Sequence, residues 1–165
     1  MFIPRGKWGQ AGVPHRGWRC TELEDLREAD SSEPLAICEM CESAEIRYRH
    51  LMTHPHYPGI LWCGAICAGH MEGDYKAVAA RGREKTLQKA NKNKRRWLKG
   101  WCTSKKGNPY KNINGYNIVI YLYRLTWGLV VTDLATGTCL KRLHGFRSAD
   151  AAKLQALAAC EALGG

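Results

Sequence analysis

The sequence contains no run of 18 consecutive apolar residues, so no segment has the length and composition of a membrane-spanning helix. Its first residues do not form the charged, apolar and small-residue leader that directs export. We therefore expect a cytoplasmic protein that neither spans a membrane nor is secreted.

Several catalytic motifs are also absent. The chain has no Gly-rich phosphate loop followed by Lys-Ser or Lys-Thr, no G-x-S-x-G motif and no pair of carboxylates with evident roles. These absences argue against nucleotide hydrolysis and serine-hydrolase chemistry. They predict a protein that is not an enzyme and has no catalytic residues.

Acidic residues are scarce relative to basic ones. The 165 residues include 25 Lys or Arg and only 15 Asp or Glu, which gives a formal net charge of +10. An excess of this size predicts a polyanionic partner, most simply nucleic acid. The length suits one ordinary domain or two small ones, and a hydrophobic content of 45% is typical of globular proteins.

Cysteine, by contrast, is abundant, with eight residues. The missing leader and the spacing favour metal ligation over disulfides. Cys38-x-x-Cys41 and Cys67-x-x-His70 are two ligand pairs of the kind that bind one zinc ion tetrahedrally. We predict one structural Zn²⁺ held by these four residues, because Cys67 and His70 share one face of a helical turn. Cys63, which forms a Cys-x-x-x-Cys pair with Cys67, is the alternative to His70.

The residues between the two pairs predict a hairpin followed by a helix. Residues 46–52 have a strand pattern, residues 55–59 form a turn, and residues 60–63 begin a second strand before the short helix that carries Cys67 and His70. This order of knuckle, hairpin and helix, with this ligand spacing, resembles a treble-clef zinc finger.

HNH-type nucleases use the same frame, which makes a metal-dependent nuclease one alternative. In that family a histidine on the hairpin activates water next to a second, open metal site. The candidates here are His50, His54 and His56. The sequence departs from the pattern because no Asn lies between Cys41 and His70.

The amino-terminal half is divided by charge. Residues 1–17 are rich in Gly and Pro with several cations, and they predict a flexible basic arm. Residues 18–74 then combine an acidic flap with the zinc finger. Thr21-x-x-Glu24 has the spacing of a capping box and predicts a short helix in the flap, although Cys20 and Leu23 also fit a strand.

Residues 75–102 form the most basic segment and predict a long helix, because residues 77–98 are mostly good helix formers. Cations on such a helix neutralise phosphates, and neighbouring tryptophans can stack on bases. The predicted nucleic-acid-binding residues in and just after this segment are Arg81, Arg83, Lys85, Lys89, Lys92, Lys94, Arg95, Arg96, Lys99, Trp101, Lys105 and Lys106.

Residues 103–117 are rich in turn formers and predict a linker. Residues 118–165 predict a β-β-β-α module with strands over 118–124, 127–134 and 138–144 and a helix over 149–163, capped by Ser148.

This order resembles the double-stranded-RNA-binding domain, and also the three-stranded DNA-binding domains of plant ethylene-response factors and some phage integrases. The resemblance implies an open sheet face for the basic and aromatic residues Tyr121, Tyr123, Arg124, Lys141 and Arg142.

The motifs CEMC, CAGHMEGD, GNPY and NGYNIV resemble a group of bacterial, plasmid and phage proteins. Altogether the sequence predicts an α+β protein with a treble-clef-like zinc finger, a basic linking helix and a β-β-β-α module. We expect a non-enzymatic, zinc-containing protein that binds DNA or RNA. The alternatives are an adaptor that docks onto an acidic protein partner, and the HNH-like nuclease.

Overall fold

A computed structural model describes residues 4–164 and shows an α+β protein. The chain divides into two compact units, Met1–Asn91 and Lys92–Gly165. The division falls inside the long basic helix, so that helix contributes residues to both units. No helix of the described residues is long and apolar enough to cross a membrane.

The first unit contains two small antiparallel sheets and two helices. Its elements are β1 (Arg19–Asp25), β2 (Ala36–Ile37), β3 (Glu45–Ile46), β4 (Tyr48–Thr53), β5 (Leu61–Cys63), α1 (Ala65–Glu72) and the start of α2 (Val78–Trp97). Strands β1, β4 and β5 form one sheet in that order, and β2 pairs with β3 in the other. The hairpin and helix predicted between the two ligand pairs are therefore confirmed.

The acidic flap adopts the strand alternative rather than the capped helix. In β1, Glu24 lies opposite Arg49 of β4 and accepts a 2.6 Å hydrogen bond from its Nε. Asp25 accepts two hydrogen bonds from Arg47, at 2.8 and 2.9 Å. These cross-strand pairs join acidic β1 to basic β4, and opposite charges at such positions stabilise an antiparallel pair.

The segment predicted as a flexible arm is ordered over its described part, so that prediction is wrong for residues 4–17. A 3-10 helix, Gly6–Gly9, lies against the turn after β2, where the Lys7 amide donates to the Met40 carbonyl at 2.8 Å. Gly6 has a φ of +60°, and a Cβ there would lie 2.7 Å from the Cys41 carbonyl carbon. Only glycine fits this close backbone approach, which explains one of the glycines that had indicated flexibility.

The second unit is a five-stranded antiparallel sheet with one helix. Its strands are β6 (Cys102–Thr103), β7 (Pro109–Ile113), β8 (Tyr116–Tyr123), β9 (Thr126–Asp133) and β10 (Cys139–Phe146), and its helix is α3 (Ala149–Leu163). The strands are ordered β10-β9-β8-β7-β6, and α3 packs on β8, β9 and β10.

Residues 103–117 are therefore not a linker, and the β-β-β-α order is incomplete, because β6 and β7 extend the sheet. The reason is the Asn114-Gly115 turn, in which both residues have positive φ, +52° and +81°. Two-residue turns of this type connect tightly paired strands. β7 consequently pairs with β8 along its whole length, from Tyr110 to Ile113.

The remaining elements of this unit agree with the sequence pattern. The helix runs over the predicted residues, and the Ser148 hydroxyl accepts a 3.0 Å hydrogen bond from the Ala151 amide. Alternate residues of β8 and β9 are fully buried against α3, where small residues allow close approach. The central buried set is Ile118, Ile120, Leu129, Val131, Ala152 and Ala156.

Candidate metal centre and basic surface

Three of the predicted zinc ligands lie together. The Sγ atoms of Cys38, Cys41 and Cys67 are all within 4.8 Å of one another. The turn between β2 and β3 supplies the first two, and the first turn of α1 supplies the third. Zn–S bonds of about 2.3 Å place sulfurs roughly 3.8 Å apart in a tetrahedron. The three thiols could therefore hold one metal ion.

A fourth thiol adjoins this group. Cys63 ends β5, is fully buried, and lies close enough to Cys38 to affect its ionisation, as does Cys67. These two neighbouring thiols lower the pKa of Cys38 far below its usual range. Proximity to Cys38, together with burial, raises the pKa of Cys63 and of Cys67. Cys38 is thus more readily ionised than Cys63 or Cys67.

Several N–H groups also face the sulfurs. The Gly64 amide donates to Cys38 Sγ at 3.4 Å, and the Cys41 amide donates to the same sulfur. The Met40 backbone favours the ionised form of Cys63, and the Trp8 side chain favours that of Cys67, although the net pKa shift of both thiols is upward. Donors around thiolate ligands stabilise their charge and fix their orientation. Sequence reasoning missed Trp8 because it lies in a Gly-rich segment with no periodicity.

His70 occupies a different environment from the thiols. It follows Cys67 on α1, and its ring makes edge contacts with Trp8 and Tyr75, at centroid distances of 6.3 and 5.2 Å. Among residues 4–164, the compact group of possible ligand atoms contains the three cysteines and includes neither His70 nor Cys63.

The three histidines of the nuclease alternative are involved in structural contacts. His50 is fully buried, and its Nε2 lies 2.9 Å from Glu84 Oε1 of α2. Burial lowers the pKa of His50, but the hydrogen bonds with Cys20 and Glu84 outweigh it, so the net shift is upward. His54 Nε2 lies 3.0 Å from the Arg16 carbonyl, and its Nδ1 accepts from the His56 amide.

The first half of α2 is attached to the first unit through polar side chains. Besides Glu84, Asn91 is buried and donates to Asp25 at 3.3 Å. Arg83, one of the predicted nucleic-acid-binding residues, forms a 2.9 Å ion pair with Glu72. Glu84 and Asn91 lie seven residues apart on one side of the helix. The only acid of α2 therefore faces the protein.

The other predicted cations are exposed. They are Arg81, Lys85, Lys89, Lys92, Lys94, Arg95, Arg96, Lys99, Lys105 and Lys106. In the second unit, Lys92, Arg95, Arg96 and Lys99 line an open groove of about 460 Å³ together with Leu98. Lys92, Arg95, Arg96 and Lys99 are spaced i, i+3, i+4 and i+7, so they place four positive charges on one face at the carboxyl end of α2.

Trp101 does not join this surface. It is half-buried, packs edge-on against Trp97 at 5.8 Å, and donates its indole N–H to the Trp97 carbonyl. Lys111 lies over both rings and donates to the carbonyls of Trp97 and Lys99, each at 2.9 Å. Burial, followed by the charge of Lys153, lowers the pKa of Lys111. Trp101 and Lys111 thus cap the carboxyl end of α2, because they donate hydrogen bonds to carbonyl groups there.

The described residues thus form an α+β protein with two distinctive features, a cysteine cluster that could hold a metal ion and a strongly basic helix. Comparison with known proteins found no matching family model, no similar curated protein and no similar solved structure.

Proposed function

We propose that this chain is a nucleic-acid-binding protein whose first unit is stabilised by one structural zinc ion in a treble-clef-like finger. Cys38, Cys41 and Cys67 supply three ligands. Zinc suits the donor set, since thiolates in a tetrahedral, buried arrangement are its usual structural ligands. Binding supplies folding free energy on the order of 10 kcal/mol in comparable small sites.

We assign the fourth ligand to Cys63 rather than to His70. The Cys63 thiol already lies close enough to Cys38 to affect its ionisation, and the Met40 backbone favours the ionised form of Cys63. The ring of His70 instead packs between Trp8 and Tyr75. Zinc loading of purified Cys63→Ser and His70→Gln proteins distinguishes the two, with cobalt substitution reporting the number of thiolates by its charge-transfer absorption. We expect Cys63→Ser to lose one thiolate and His70→Gln to keep all four; three thiolates in the wild type, with none lost in Cys63→Ser, would assign His70 instead.

The observation that carries the nucleic-acid proposal is the groove formed by Lys92, Arg95, Arg96 and Lys99. Four cations on one face of a helix repel one another unless an anion lies between them. A phosphate backbone provides such anions at regular spacing, and each neutralised phosphate releases condensed counterions. The apolar Leu98 in the same groove contributes contact area without competing charge.

The test is fluorescence anisotropy of the zinc-loaded protein with labelled double-stranded DNA, single-stranded DNA and double-stranded RNA over a range of salt concentrations. With about six phosphates engaged, log K falls with log salt at a slope of roughly −5 on duplex DNA. The variant Lys92→Gln/Arg95→Gln/Lys99→Gln is expected to reduce the slope by about 3.

A matched control removes three exposed cations from the first unit, Arg5→Gln/Arg19→Gln/Lys76→Gln, and so changes the net charge equally. If both triple variants weaken binding alike, overall charge rather than the groove is responsible. If the wild-type protein shows no salt-dependent binding to any nucleic acid, the proposal is wrong, and an acidic protein partner becomes the better explanation of the basic surface.

A further inference from the structure

The face of the second unit's sheet opposite α3 carries an aromatic ring in an unusual position. Tyr121 of β8 lies directly across from Gly128 of β9. A Cβ added at Gly128 would lie 2.7 Å from Tyr121 Cζ and 2.9 Å from its Cε2 and Oη. The phenol ring therefore lies down on the sheet, over the place where any other residue would have a side chain. One side of the ring covers the glycine, and Tyr121 as a whole is half-buried.

A second aromatic pair adjoins this ring. His144 of β10 lies opposite Gly128, so Tyr121, Gly128 and His144 form one row across three strands. Tyr123, two residues further along β8 and therefore on the same face, has its ring 5.9 Å from that of His144. Tyr123 is 47% exposed. The buried cluster formed with α3 does not include these three rings.

The charge around the rings is positive. Arg142 follows in the next row, opposite Val130. Arg124 lies in the turn after β8, with Cζ 5.3 Å from the Tyr123 ring centroid. Arg124 and Leu125 both have positive φ, +47° and +66°, which is strained for residues with side chains. Across residues 110–144, the residues that alternate onto this face include no Asp or Glu.

We propose that this face, built on Tyr121, Tyr123 and His144, binds unpaired bases of single-stranded nucleic acid by stacking. The inference rests on the proposed nucleic-acid function and names the form of nucleic acid that the second unit prefers. A ring held flat on a sheet offers its π-face to a base without further ordering, and every base has a π-face. Arg142 and Arg124 then contact the phosphates between stacked bases. Bases paired in a duplex are stacked on each other and cannot use such a surface.

The experiment compares binding of a labelled 16-nucleotide oligothymidine and a labelled DNA duplex of the same length. Tyr121→Ala and Tyr123→Ala are each expected to weaken single-strand binding roughly 5- to 150-fold and to leave duplex binding unchanged. Tyr121→Phe keeps the ring and is expected to bind as the wild type does. Gly128→Ala retains every aromatic residue but displaces the Tyr121 ring, so it is expected to weaken single-strand binding as well.

Leu122→Ala serves as the control, because Leu122 is 60% exposed on the same strand but alternates to the other face. Thermal melts check that all variants are folded. Equal single-strand affinity for wild type, Tyr121→Ala and Tyr123→Ala overturns the inference and leaves the proposed function intact. A parallel loss of duplex and single-strand binding also overturns it. Absence of any nucleic-acid binding by the wild type removes the proposed function itself.

Discussion

The two units differ in what fills their cores. The first buries sulfur-containing side chains: among its fully buried residues are Cys38, Cys63, Met40, Met52 and Met71. The second buries branched aliphatic side chains in regular alternation along its two central strands, against alanines of α3. Methionine and cysteine adapt to irregular spaces, whereas alternating Ile, Leu and Val pack a regular sheet surface.

They also differ in buried polarity. The buried polar side chains of the described residues, Asp25, His50 and Asn91, all lie in the first unit. Each has a partner there: Arg47 for Asp25, Glu84 for His50, and Asp25 for Asn91. Such groups specify one arrangement but contribute little net stability. With zinc bound as proposed above, we expect the first unit to depend on an ion for its stability, whereas the buried side chains of the second unit's described residues are apolar.

Removal of the metal is expected to have the largest effect of these tests, and it asks whether the first unit needs an ion to stay folded. Chelation, or Cys38→Ser, is expected to unfold the first unit because about 10 kcal/mol of binding free energy is lost. Hydrogen exchange with mass spectrometry measures each unit separately. Peptides from β1, β4 and β5 should lose protection, while peptides from β8 and β9 should keep it. If the first unit stays protected after complete zinc loss, the ion is not structural.

Leu129→Ala is the corresponding test in the second unit, because it weakens that unit's apolar core. Leu129 is fully buried on β9, opposite Ile120 of β8. Truncation leaves a cavity and is expected to lower the free energy of unfolding of the second unit by about 2–5 kcal/mol. Urea denaturation followed by exchange of β8 and β9 peptides gives that value, and elemental analysis should show unchanged zinc content. Loss of zinc in this variant would contradict the independence of the two cores.

Asp25 tests the polar part of the first unit. Its side chain is 1% exposed, and the hydrogen bond from Arg47, opposed by burial and helped by the Arg27 amide, lowers its pKa. Because the folded pKa is depressed, the stabilisation is complete above the unfolded value of about 3.9 and is lost as pH falls through the folded pKa.

We expect Asp25→Asn to cost about 1.5–3 kcal/mol at neutral pH, the range for hydrogen bonds to charged groups. Urea melts at neutral pH in saturating zinc measure that cost, because protonation of the cysteine ligands releases zinc before the pH falls to the folded pKa of Asp25. Glu24→Gln, which removes the more exposed pair with Arg49, is the control and should cost less than about 1 kcal/mol. Equal effects of the two variants would mean that burial of Asp25 adds nothing.

Some features of the fold and of the candidate site can be predicted from the sequence, and others cannot. Elements with strong local signals are predicted within a few residues, including α2, α3 with its Ser148 cap, and the hairpin between the two ligand pairs. The Cys38, Cys41 and Cys67 cluster is predicted because ligand spacing is itself a local signal. Strand β1 is ambiguous from sequence, since its acids Glu24 and Asp25 pair with Arg49 of β4 and with Arg47 just before β4, more than 20 residues away.

The two wrong predictions, for the amino-terminal segment and for the segment that contains β7, have a common cause. Glycine occurs in flexible chain, but it also occurs at close backbone contacts and in tight turns. Gly6 allows close packing of the amino-terminal segment on Cys41, and Gly115 allows the tight turn between β7 and β8. From their composition, the first of these segments was predicted to be a flexible arm and the second a linker. Asn-Gly is a strong hairpin signal, so β7 was predictable from the sequence. The packing of the Tyr121 ring on Gly128 was not predictable, because it depends on the register between β8 and β9.

The smallest predicted effect concerns the cap at the start of α3. Ser148→Ala removes the hydroxyl that accepts from the Ala151 amide, and it is expected to lower the stability of the second unit by about 1 kcal/mol. Ser148→Asp should retain the cap, since aspartate accepts the same hydrogen bond and favours the helix dipole. Thermal unfolding of the three proteins measures the difference. If α3 contributes to the core through its buried alanines, the loss stays close to the cap's own value and exchange increases only in the first helical turn. A loss as large as that of Leu129→Ala would mean instead that the helix start, rather than the apolar sheet, determines the stability of this unit.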